Sequence, residues 1–557
     1  MKQDLEKAIA ASVQELFGQT VVIELSRPEE QFGDYATNVA LQLAKLVQKS
    51  PREVADALAE TLRTKLADTI AEVTVAGPGF LNLTLTDAAL LKLAKTEPAK
   101  SLDSQTVVAE YSDPNPFKVL HAGHLYTSVV GDAIANLLEQ AGAKVHRVNF
   151  GGDVGMHVAK TMWGIVGKLD GEYPDKLADV PTAERSDWMA DAYVTGTQAY
   201  ENDESAKTEI TAINKRIYEL HTNNDHNSAF AQIYWTCRQW SYEYFDAFYS
   251  RIGSKFEKYY PESQTAPVGL ATVRAHIADG IYEESDGAVI FNGEKYGLHT
   301  RVFINSEGLP TYEAKDVGLS ILKMQDYHFD KSVIITANEI SQYMTVVMKS
   351  IEQFAPELTR VTTHLTHGLV KLKGGVKMSS RKGNFLRAVD VLDVAAEASQ
   401  KLVGKADEQT ILGAVKYAFL KNRLGGDLIY DPEESVSLEG NSGPYLQYAH
   451  ARARSILRKV GVEQSQAQVT ELQPGERSMI SKISQYPEVV DRAVFELMPH
   501  HICTYLYELA QAFNRFYENN RVVGDERQGQ RLAIVQQYAD TLKAGLTILG
   551  IIAPETM

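Results

Sequence analysis

The stretch His121-Ala122-Gly123-His124 constrains the fold most, because it joins a run of strand-forming residues to a long helical pattern. The strand pattern covers residues 106–112, the helical pattern covers 125–140, and a second strand pattern covers 144–150. This order predicts one strand–helix–strand unit of a parallel sheet, with two histidines at the start of its helix. Helix starts attract anions through their free N–H groups and dipole, so the stretch predicts a phosphate site. The alternative is a pair of helix-start histidines without a binding role.

The length of the chain predicts several domains, since one domain averages about 150 residues. Residues 1–103 alternate helical and strand patterns and predict a small α+β domain. Residues 104–395 predict a Rossmann-like α/β core with a helical, aromatic insertion at about 160–265, and residues 396–557 predict an all-α domain. We therefore expect a multidomain protein whose central domain carries the chemistry.

Composition excludes some classes of protein. The two cysteines, Cys237 and Cys503, are far apart in sequence, so neither a zinc site nor a disulfide framework is expected. No apolar run reaches the ~18 residues of a membrane span, and the start of the chain lacks a signal-peptide pattern. We expect a cytoplasmic protein that does not bind membranes. The formal net charge of −16 argues mildly against a nucleic-acid partner, although an acidic protein can still carry a local basic groove.

A second motif, Lys377-Met378-Ser379-Ser380-Arg381-Lys382, follows about 250 residues after the first. The surrounding segment, residues 371–389, contains several basic residues and no acidic one. A basic loop of small residues suits a polyphosphate whose charge moves during a reaction. A solvated loop without function is the alternative.

The two motifs, in this order, resemble those of the class I aminoacyl-tRNA synthetases. Seven further stretches resemble the arginyl-tRNA synthetases in particular: residues 32–35, 77–80, 110–118, 147–155, 312–316, 443–452 and 549–557. The resemblance covers nearly the whole chain. It implies an enzyme that uses ATP to ligate L-arginine to its tRNA through an arginyl-adenylate, with release of AMP and pyrophosphate. It also implies magnesium bound with the ATP, no zinc, and a monomer.

The resemblance assigns two groups of residues to the chemistry. The catalytic group comprises His121, His124, Lys118, Lys377 and Lys382. The ATP-binding group comprises Gly123, Leu125, Gly368, Met378, Ser379 and Ser380. The wider class has a second lysine where Ser380 stands, so which of the three lysines contacts the leaving phosphate stays open.

Two further groups would bind the amino acid and the tRNA. The arginine-binding group comprises Glu110, Asn115, Tyr312, Asp316 and Glu339. A guanidinium presents five donors in a flat fork, which suits the carboxylates of this group. Family members often have a glutamine in this pocket, so the role of Glu339 stays open.

The tRNA-binding group comprises Phe80, Asn82, Tyr445, Tyr448, Arg452 and Tyr505. Exposed aromatic and amide side chains can stack on bases and bond to them, and the alternative is that these residues belong to the core. Two other functions remain in competition with the ligase. One is a class I synthetase for another amino acid, such as the cysteine enzyme, although that enzyme usually needs a zinc site. The other is a tRNA-binding paralogue without catalysis.

Overall fold

The computed structural model describes residues 1–375, 386–460 and 469–557. An α+β domain opens the chain. Its helices are α1 (Lys2–Phe17), α2 (Val39–Val47), α3 (Pro51–Lys65) and α4 (Asp87–Ala94), and its strands are β1 (Tyr35–Thr37), β2 (Ile70–Ala76) and β3 (Phe80–Leu85). β3 lies between β1 and β2 in an antiparallel sheet. The side chain of Ser50 caps α3 at its start, as the sequence pattern Ser50-Pro51 predicts.

The central domain is built on a parallel sheet. The strands of this region are β4 (Thr106–Glu110), β5 (Lys144–Gly151), β6 (Lys258–Pro261), β7 (Glu283–Ser285), β8 (Ala288–Phe291), β9 (Arg301–Ile304), β10 (Lys331–Ala337) and β11 (Thr362–His367). Its helices are α5 (Ala122–Gln140), α6 (Met156–Lys168), α7 (Arg185–Asn202), α8 (Glu204–Thr222), α9 (Ala229–Ile252), α10 (Glu262–Ala275), α11 (Tyr312–Tyr327), α12 (Ser341–Glu352) and α13 (Pro356–Arg360). The sheet has the order β11-β10-β4-β5-β6, while β7, β8 and β9 form a separate antiparallel sheet.

Helices cover both faces of the parallel sheet because its strands are apolar on both sides. Val107 and Ala109 of β4 join the core beneath α5, whereas Val108, between them, joins the core beneath α11 and α12. The strands β4 and β5, with α5 between them, are the strand–helix–strand unit that the sequence predicted.

The inserted helices α6 to α9 share a core of their own around Met162, Ile217 and Trp240. β6 rejoins the parallel sheet at Lys258, so these helices end before residue 265, where the sequence pattern placed the end of the insertion. The reason is that Lys258 to Pro261 form a four-residue strand, too short to give a period-2 signal of its own.

The C-terminal domain is helical. Its helices are α14 (Ala388–Val403), α15 (Glu408–Leu420), α16 (Pro432–Ser435), α17 (Gly443–Val460), α18 (Pro474–Ser484), α19 (Tyr486–Glu496), α20 (His500–Asn519) and α21 (Gln528–Ile548). Two short parallel strands, β12 (Val370–Leu372) and β13 (Leu428–Tyr430), connect it to the central domain. The predicted multidomain architecture, with a Rossmann-like core between an α+β domain and an all-α domain, is confirmed.

Three details differ from the sequence patterns. α14 runs through residue 395, so the proposed boundary between the second and third domains falls inside a helix. The helical pattern across residues 493–518 predicts one helix, but the structure interrupts it, because Leu497 adopts φ 54° and Pro499 is the N-cap of α20. The strand predicted across 363–372 is two strands, β11 and β12, that pair with different partners. Within the described ranges, no helix combines the length and apolar character needed to cross a membrane.

Candidate active site

The candidate site lies at the carboxyl ends of the parallel strands. The chain runs from β4 through α5 to β5, which pairs with one edge of β4. β10 pairs with the other edge of β4, and β11 pairs with β10. β4 is therefore the point at which the strand order reverses, and such a crevice is where open α/β sheets bind ligands. Glu110 ends β4, Gly151 ends β5 and His367 ends β11, so all three reach this edge.

His121 and His124 form a reciprocal cap at the start of α5. His121 Nδ1 accepts a hydrogen bond from the Gly123 N–H at 3.1 Å, and His124 Nδ1 accepts one from the His121 N–H at 3.1 Å. The two rings stack with centroids 3.7 Å apart. Because both Nδ1 atoms accept, each neutral ring carries its proton on Nε2. The pair therefore presents N–H donors beyond the helix start, where a phosphate oxygen would accept them.

Desolvation and nearby positive charge keep both rings neutral. Desolvation, followed by Lys118 and His367, lowers the pKa of His121 to about 4. Desolvation, followed by His121 and Lys118, lowers the pKa of His124 well below its usual value. The histidines can therefore act near neutral pH through hydrogen bonds, while the charge at this end of the site comes from Lys118.

A hydrogen-bonded chain ties the start of α5 to β11. Thr127 donates to the Gly123 carbonyl at 2.8 Å, and His367 lies 2.6 Å from the same Thr127 hydroxyl. Gly368 follows directly, and a Cβ on it would stand 2.4 Å from the backbone of Gly426. Only glycine fits this close approach between backbones. Leu125 packs in the core at 1% exposure, so its side chain has a structural role, and its contact with ATP stays a prediction.

A cluster of buried acids lies beside the helix start. Asp316, on α11, is 9% exposed, and its surroundings raise its pKa well above the usual range. Burial contributes most to this shift, followed by repulsion from Glu110 and Glu262. Asp113 adds repulsion too, and burial also raises its own pKa well above the usual range. We call the region around Glu110, Asp113, Glu262 and Asp316 the acidic pocket. It contains more carboxyl groups than positively charged groups to neutralise them.

Two buried lysines offset part of this charge. Lys323 bonds to Glu110, and the side chains are 1% and 3% exposed. Lys315 bonds to Glu262 at 2.5 Å, with side-chain exposures of 4% and 3%. The sequence predicted Glu110 as an arginine-binding residue, and in the structure its carboxylate bonds to Lys323 of α11, a partner that the sequence pattern did not indicate. Asp316 remains without a lysine partner among the contacts described.

Tyr343, at the start of α12, donates its hydroxyl proton to Asp316. The sequence pattern did not indicate this residue. Tyr312 lies one turn before Asp316 on α11, is 54% exposed and stands over Lys315, with its ring centroid 4.9 Å from Nζ. Glu339, proposed for the same pocket, lies on the exposed 3-10 turn Asn338–Ile340.

Asn115 holds two loops together. Its Oδ1 accepts the Gly152 N–H at 2.8 Å, and a Cβ on Gly152 would stand 2.7 Å from that oxygen. The carbonyl of Gly152 in turn accepts a hydrogen bond from His157 Nε2 at 2.7 Å. Beside this bond, the side chain of Asn115 offers amide N–H donors and a second lone pair on its oxygen, so it suits either the α-carboxylate or the α-ammonium group of an amino acid.

The remaining catalytic predictions fall on lysines and the second motif. Lys118 is half-buried, with Nζ 4.6 Å from the ring centroid of Tyr193 on α7. Five predicted residues lie outside the described part of the chain: Lys377, Met378, Ser379, Ser380 and Lys382.

The predicted tRNA-binding residues divide into exposed and buried sets. Phe80 is 41% exposed and Tyr448 is 45% exposed. Asn82 is 7% exposed, because β3 is the middle strand of its sheet. Tyr505 is 2% exposed and donates its hydroxyl to the Lys482 carbonyl at 3.1 Å. Tyr505 is therefore corrected to a structural position, whereas Asn82 shares a face of β3 with exposed Phe80 and its tRNA contact stays a prediction.

One face of the C-terminal domain combines aromatic rings with arginine. Tyr445 accepts a hydrogen bond from Asn514 at 2.9 Å and meets the edge of Tyr507 at 5.8 Å. Arg452 lies over the Tyr517 ring at 4.8 Å. Since residues two apart on a helix point to different sides, Tyr507 joins this face and Tyr505 enters the core.

The parallel sheet, the paired histidines at the start of α5 and the acidic pocket beside them define a nucleotide-binding core of the class I tRNA synthetase type. The description "tRNA synthetases class I (R), catalytic domain" matches residues 86–430. "Arginyl tRNA synthetase N terminal domain" matches residues 1–85, and "DALR anticodon binding domain" matches residues 446–557. The chain belongs to the arginyl-tRNA synthetase family.

Relatives of known name match this chain along its full length. The chain is 28% identical to arginine–tRNA ligase of Flavobacterium psychrophilum over 612 residues, covering 100% of both chains. It is 29% identical to the Porphyromonas gingivalis enzyme of the same name over 608 residues, covering 100% of this chain and 99% of that one. The solved structure of Thermus thermophilus arginyl-tRNA synthetase superimposes with a TM-score of 0.78 at 26% identity, covering 100% of both chains.

Proposed function

We propose that this chain ligates L-arginine to arginine tRNA, using ATP and passing through an arginyl-adenylate. The observation that carries the proposal is the charge of the pocket. Four carboxyl groups act on one another there, those of Glu110, Asp113, Glu262 and Asp316, whereas the pocket holds two buried lysines that pair with acids. A guanidinium supplies the missing positive charge.

Asp316 is the residue proposed to take the guanidinium. It has the hydroxyl of Tyr343 as one partner, which leaves its carboxylate further lone pairs for the N–H groups of arginine. Tyr312, one helical turn earlier and 54% exposed, would lie along the side chain of the amino acid. A neutral side chain in this place would leave the Asp316 carboxylate without a cation, and a site built in that way rejects such a substrate strongly.

The other end of the arginine would face the phosphates. The amide N–H groups of Asn115 suit the α-carboxylate, and its oxygen keeps a lone pair for the α-ammonium group. A carboxylate oxygen then attacks the α-phosphorus of ATP, the bond from that phosphorus to the bridging oxygen breaks, and pyrophosphate leaves. The Nε2–H groups of His121 and His124 would donate to phosphate oxygens, and Lys118 would add positive charge.

Magnesium would enter as a complex with ATP. Among the described residues, no group of three or more His, Cys, Asp or Glu side chains could hold a metal ion. The proposal therefore requires that this chain supply contacts to the nucleotide and a lysine that neutralises the charge of the leaving phosphate. Lys118, Lys377 and Lys382 remain the candidates for that role, with Lys118 the one that lies within the described residues.

In the second step, a hydroxyl of the terminal adenosine of the tRNA attacks the arginyl carbonyl, and AMP leaves. Class I membership favours the 2′-hydroxyl. Phe80 and the face around Tyr448 and Arg452 are the proposed tRNA contacts, because they combine exposed rings with positive charge. We further propose that the enzyme acts as a monomer in the cytoplasm, and sedimentation of the purified chain tests the first of these points.

Arginine-dependent ATP–pyrophosphate exchange, with and without transcribed arginine tRNA, tests the proposed function. The wild-type chain should catalyse exchange with arginine, and the variant Asp316→Asn should not, although it should still bind tRNA. Exchange with cysteine or another amino acid in place of arginine would mean a different class I enzyme. tRNA binding without exchange under any condition would favour the non-catalytic paralogue.

A further inference from the structure

The motif Phe32-Gly33-Asp34-Tyr35 does not face the candidate active site. Asp34 and Tyr35 are buried, at 5% and 0% exposure, and they point toward the C-terminal helical domain. Their partners are Arg477 on α18 and Glu488 on α19. The motif therefore joins two domains that are far apart in the sequence.

Arg477 is the first fastening point. Its guanidinium donates to Asp34 Oδ2 at 2.6 Å, to Asp87 Oδ1 at 2.7 Å and to the Leu85 carbonyl at 3.0 Å. Three acceptors around one planar guanidinium fix its orientation as well as its distance from the N-terminal domain, because the donors form a rigid fork.

The acceptors of Arg477 are themselves held in place. Asp34 Oδ2 also accepts the Leu85 N–H at 2.8 Å, and Asp34 Oδ1 accepts the hydroxyl of Ser481, from α18, at 3.1 Å. Asp87 Oδ2 accepts the N–H of Leu472, from the C-terminal domain, at 3.0 Å. Both oxygens of each carboxylate thus accept hydrogen bonds from the C-terminal domain, which restricts movement of the two domains along their interface.

Glu488 is the second fastening point. Its Oε1 accepts the hydroxyl of Tyr35 at 2.6 Å and the guanidinium of Arg27 at 2.6 Å. Arg27 also lies over the Tyr35 ring, 4.0 Å from its centroid. Contacts on two successive helices, α18 and α19, restrict rotation of one domain against the other more than a single contact would.

We propose that Asp34, Tyr35, Arg477 and Glu488 are positioning residues for tRNA, which hold the N-terminal domain at a set distance from the anticodon-binding domain. The inference rests on the proposed function, in which Phe80 of the N-terminal domain and Tyr448 of α17 both contact tRNA. A tRNA bound at one surface meets the second at an effective concentration that depends on the geometry between them. Weakening these interdomain hydrogen bonds therefore lowers the affinity for tRNA, although no residue that contacts tRNA is removed.

The test compares two RNAs on the full chain: transcribed arginine tRNA and a hairpin that carries its anticodon stem and loop. For the variant Arg477→Gln, Kd for the whole tRNA should rise about tenfold or more, while Kd for the hairpin stays within about twofold of wild type. The variant Arg477→Lys keeps the charge but loses the planar fork. Its Kd for the whole tRNA should lie between those of the wild type and Arg477→Gln. The matched control is Arg492→Gln, since Arg492 pairs with Glu496 on its own helix.

A second variant, Tyr35→Phe with Glu488→Gln, serves as the test if Arg477→Gln does not fold. Its Kd for the whole tRNA should also rise, while its Kd for the hairpin stays close to the wild-type value. Whole-tRNA affinity within twofold of wild type in both variants would overturn the inference. Equal losses for both RNAs would overturn it too, since they would show general damage to the C-terminal domain. A wild-type chain that binds neither RNA would instead count against the proposed function.

Discussion

Lys323 on α11 bonds to Glu110 at the end of β4, and both side chains are almost fully buried. This pair removes one negative charge from a pocket that holds four carboxyl groups. Asp316, seven residues before Lys323 on the same helix, has no lysine partner among the contacts described, and burial with the neighbouring carboxyl groups raises its pKa well above the usual range. The charge balance of the pocket thus depends on a residue that itself contacts no substrate in the proposal.

The substitution Lys323→Met should destabilise the fold. Removing one partner leaves Glu110 as an uncompensated charge in the interior, which costs about 3–5 kcal/mol. Chemical denaturation of the variant measures the loss. The double variant Lys323→Met with Glu110→Gln should recover most of that stability, and equal stability of the wild type and the single variant would contradict the buried pair.

Arginine binding should release a proton from Asp316. Burial and the neighbouring carboxylates Glu110 and Glu262 raise the pKa of Asp316, so the free enzyme holds a proton there at pH values below the raised pKa. The guanidinium favours the ionised form, so arginine affinity should rise with pH and about one proton should leave per arginine bound. Calorimetry in buffers of different ionisation heats measures this number. Proton release unchanged in Asp316→Asn would assign it to another group.

The buried His157 should make the protein less stable in mild acid. Burial, followed by the positive charge of Lys118, lowers the pKa of His157 to about 3 in the folded chain. Between pH 6.5 and that value the unfolded chain binds a proton that the folded chain does not, so the free energy of unfolding falls as pH falls. The slope from this group approaches about 1.4 kcal/mol per pH unit.

The variant His157→Asn keeps a donor for the Gly152 carbonyl but does not titrate. Denaturation midpoints between pH 7 and pH 5 should therefore change less in the variant than in the wild type. Parallel pH profiles for the two proteins would mean that His157 is protonated in the folded state.

Tyr448→Ala should weaken tRNA binding by about 1–3 kcal/mol, the value of one stacked base. Tyr448 is 45% exposed on α17, whereas Tyr505 is 2% exposed in the core. The matched control is Tyr505→Phe, which loses a hydrogen bond to a carbonyl and should leave tRNA affinity unchanged. Binding titrations at a fixed salt concentration compare the two variants. An effect of Tyr505→Phe as large as that of Tyr448→Ala would restore Tyr505 to the tRNA surface.

The sequence predicted the elements with strong periodicity or a motif at their ends. The unit from β4 to β5, the three-part architecture and the pairing of Tyr312 with Asp316 on one helix face could all be inferred, because each depends on local spacing. Burial was harder to infer. Asn82 and Tyr505 carry the right chemistry for bases, but their places in the middle of a sheet and in a helical core depend on neighbours distant in sequence.

Long-range pairing was the hardest feature to infer. Lys323 and Glu110 are 213 residues apart, and Asp34 and Arg477 are 443 residues apart. A weak signal existed for Lys323, which lies seven positions after Asp316 and so shares its helix face. Asp34 stood within a recognised motif, but nothing in its surroundings indicated a partner on α18.

The most direct test of the central claim is the choice between arginine and citrulline, whose side chains have the same shape but differ in charge. Aminoacylation of arginine tRNA should show kcat/KM for arginine at least about 10⁴-fold above that for citrulline in the wild-type chain, because the guanidinium forms an ion pair with the ionised carboxyl of Asp316 and the neutral citrulline side chain cannot. In Asp316→Asn this ratio should collapse by several orders of magnitude, through loss of the arginine reaction. A ratio that survives the substitution would contradict the account, since the guanidinium would then be recognised somewhere other than at Asp316.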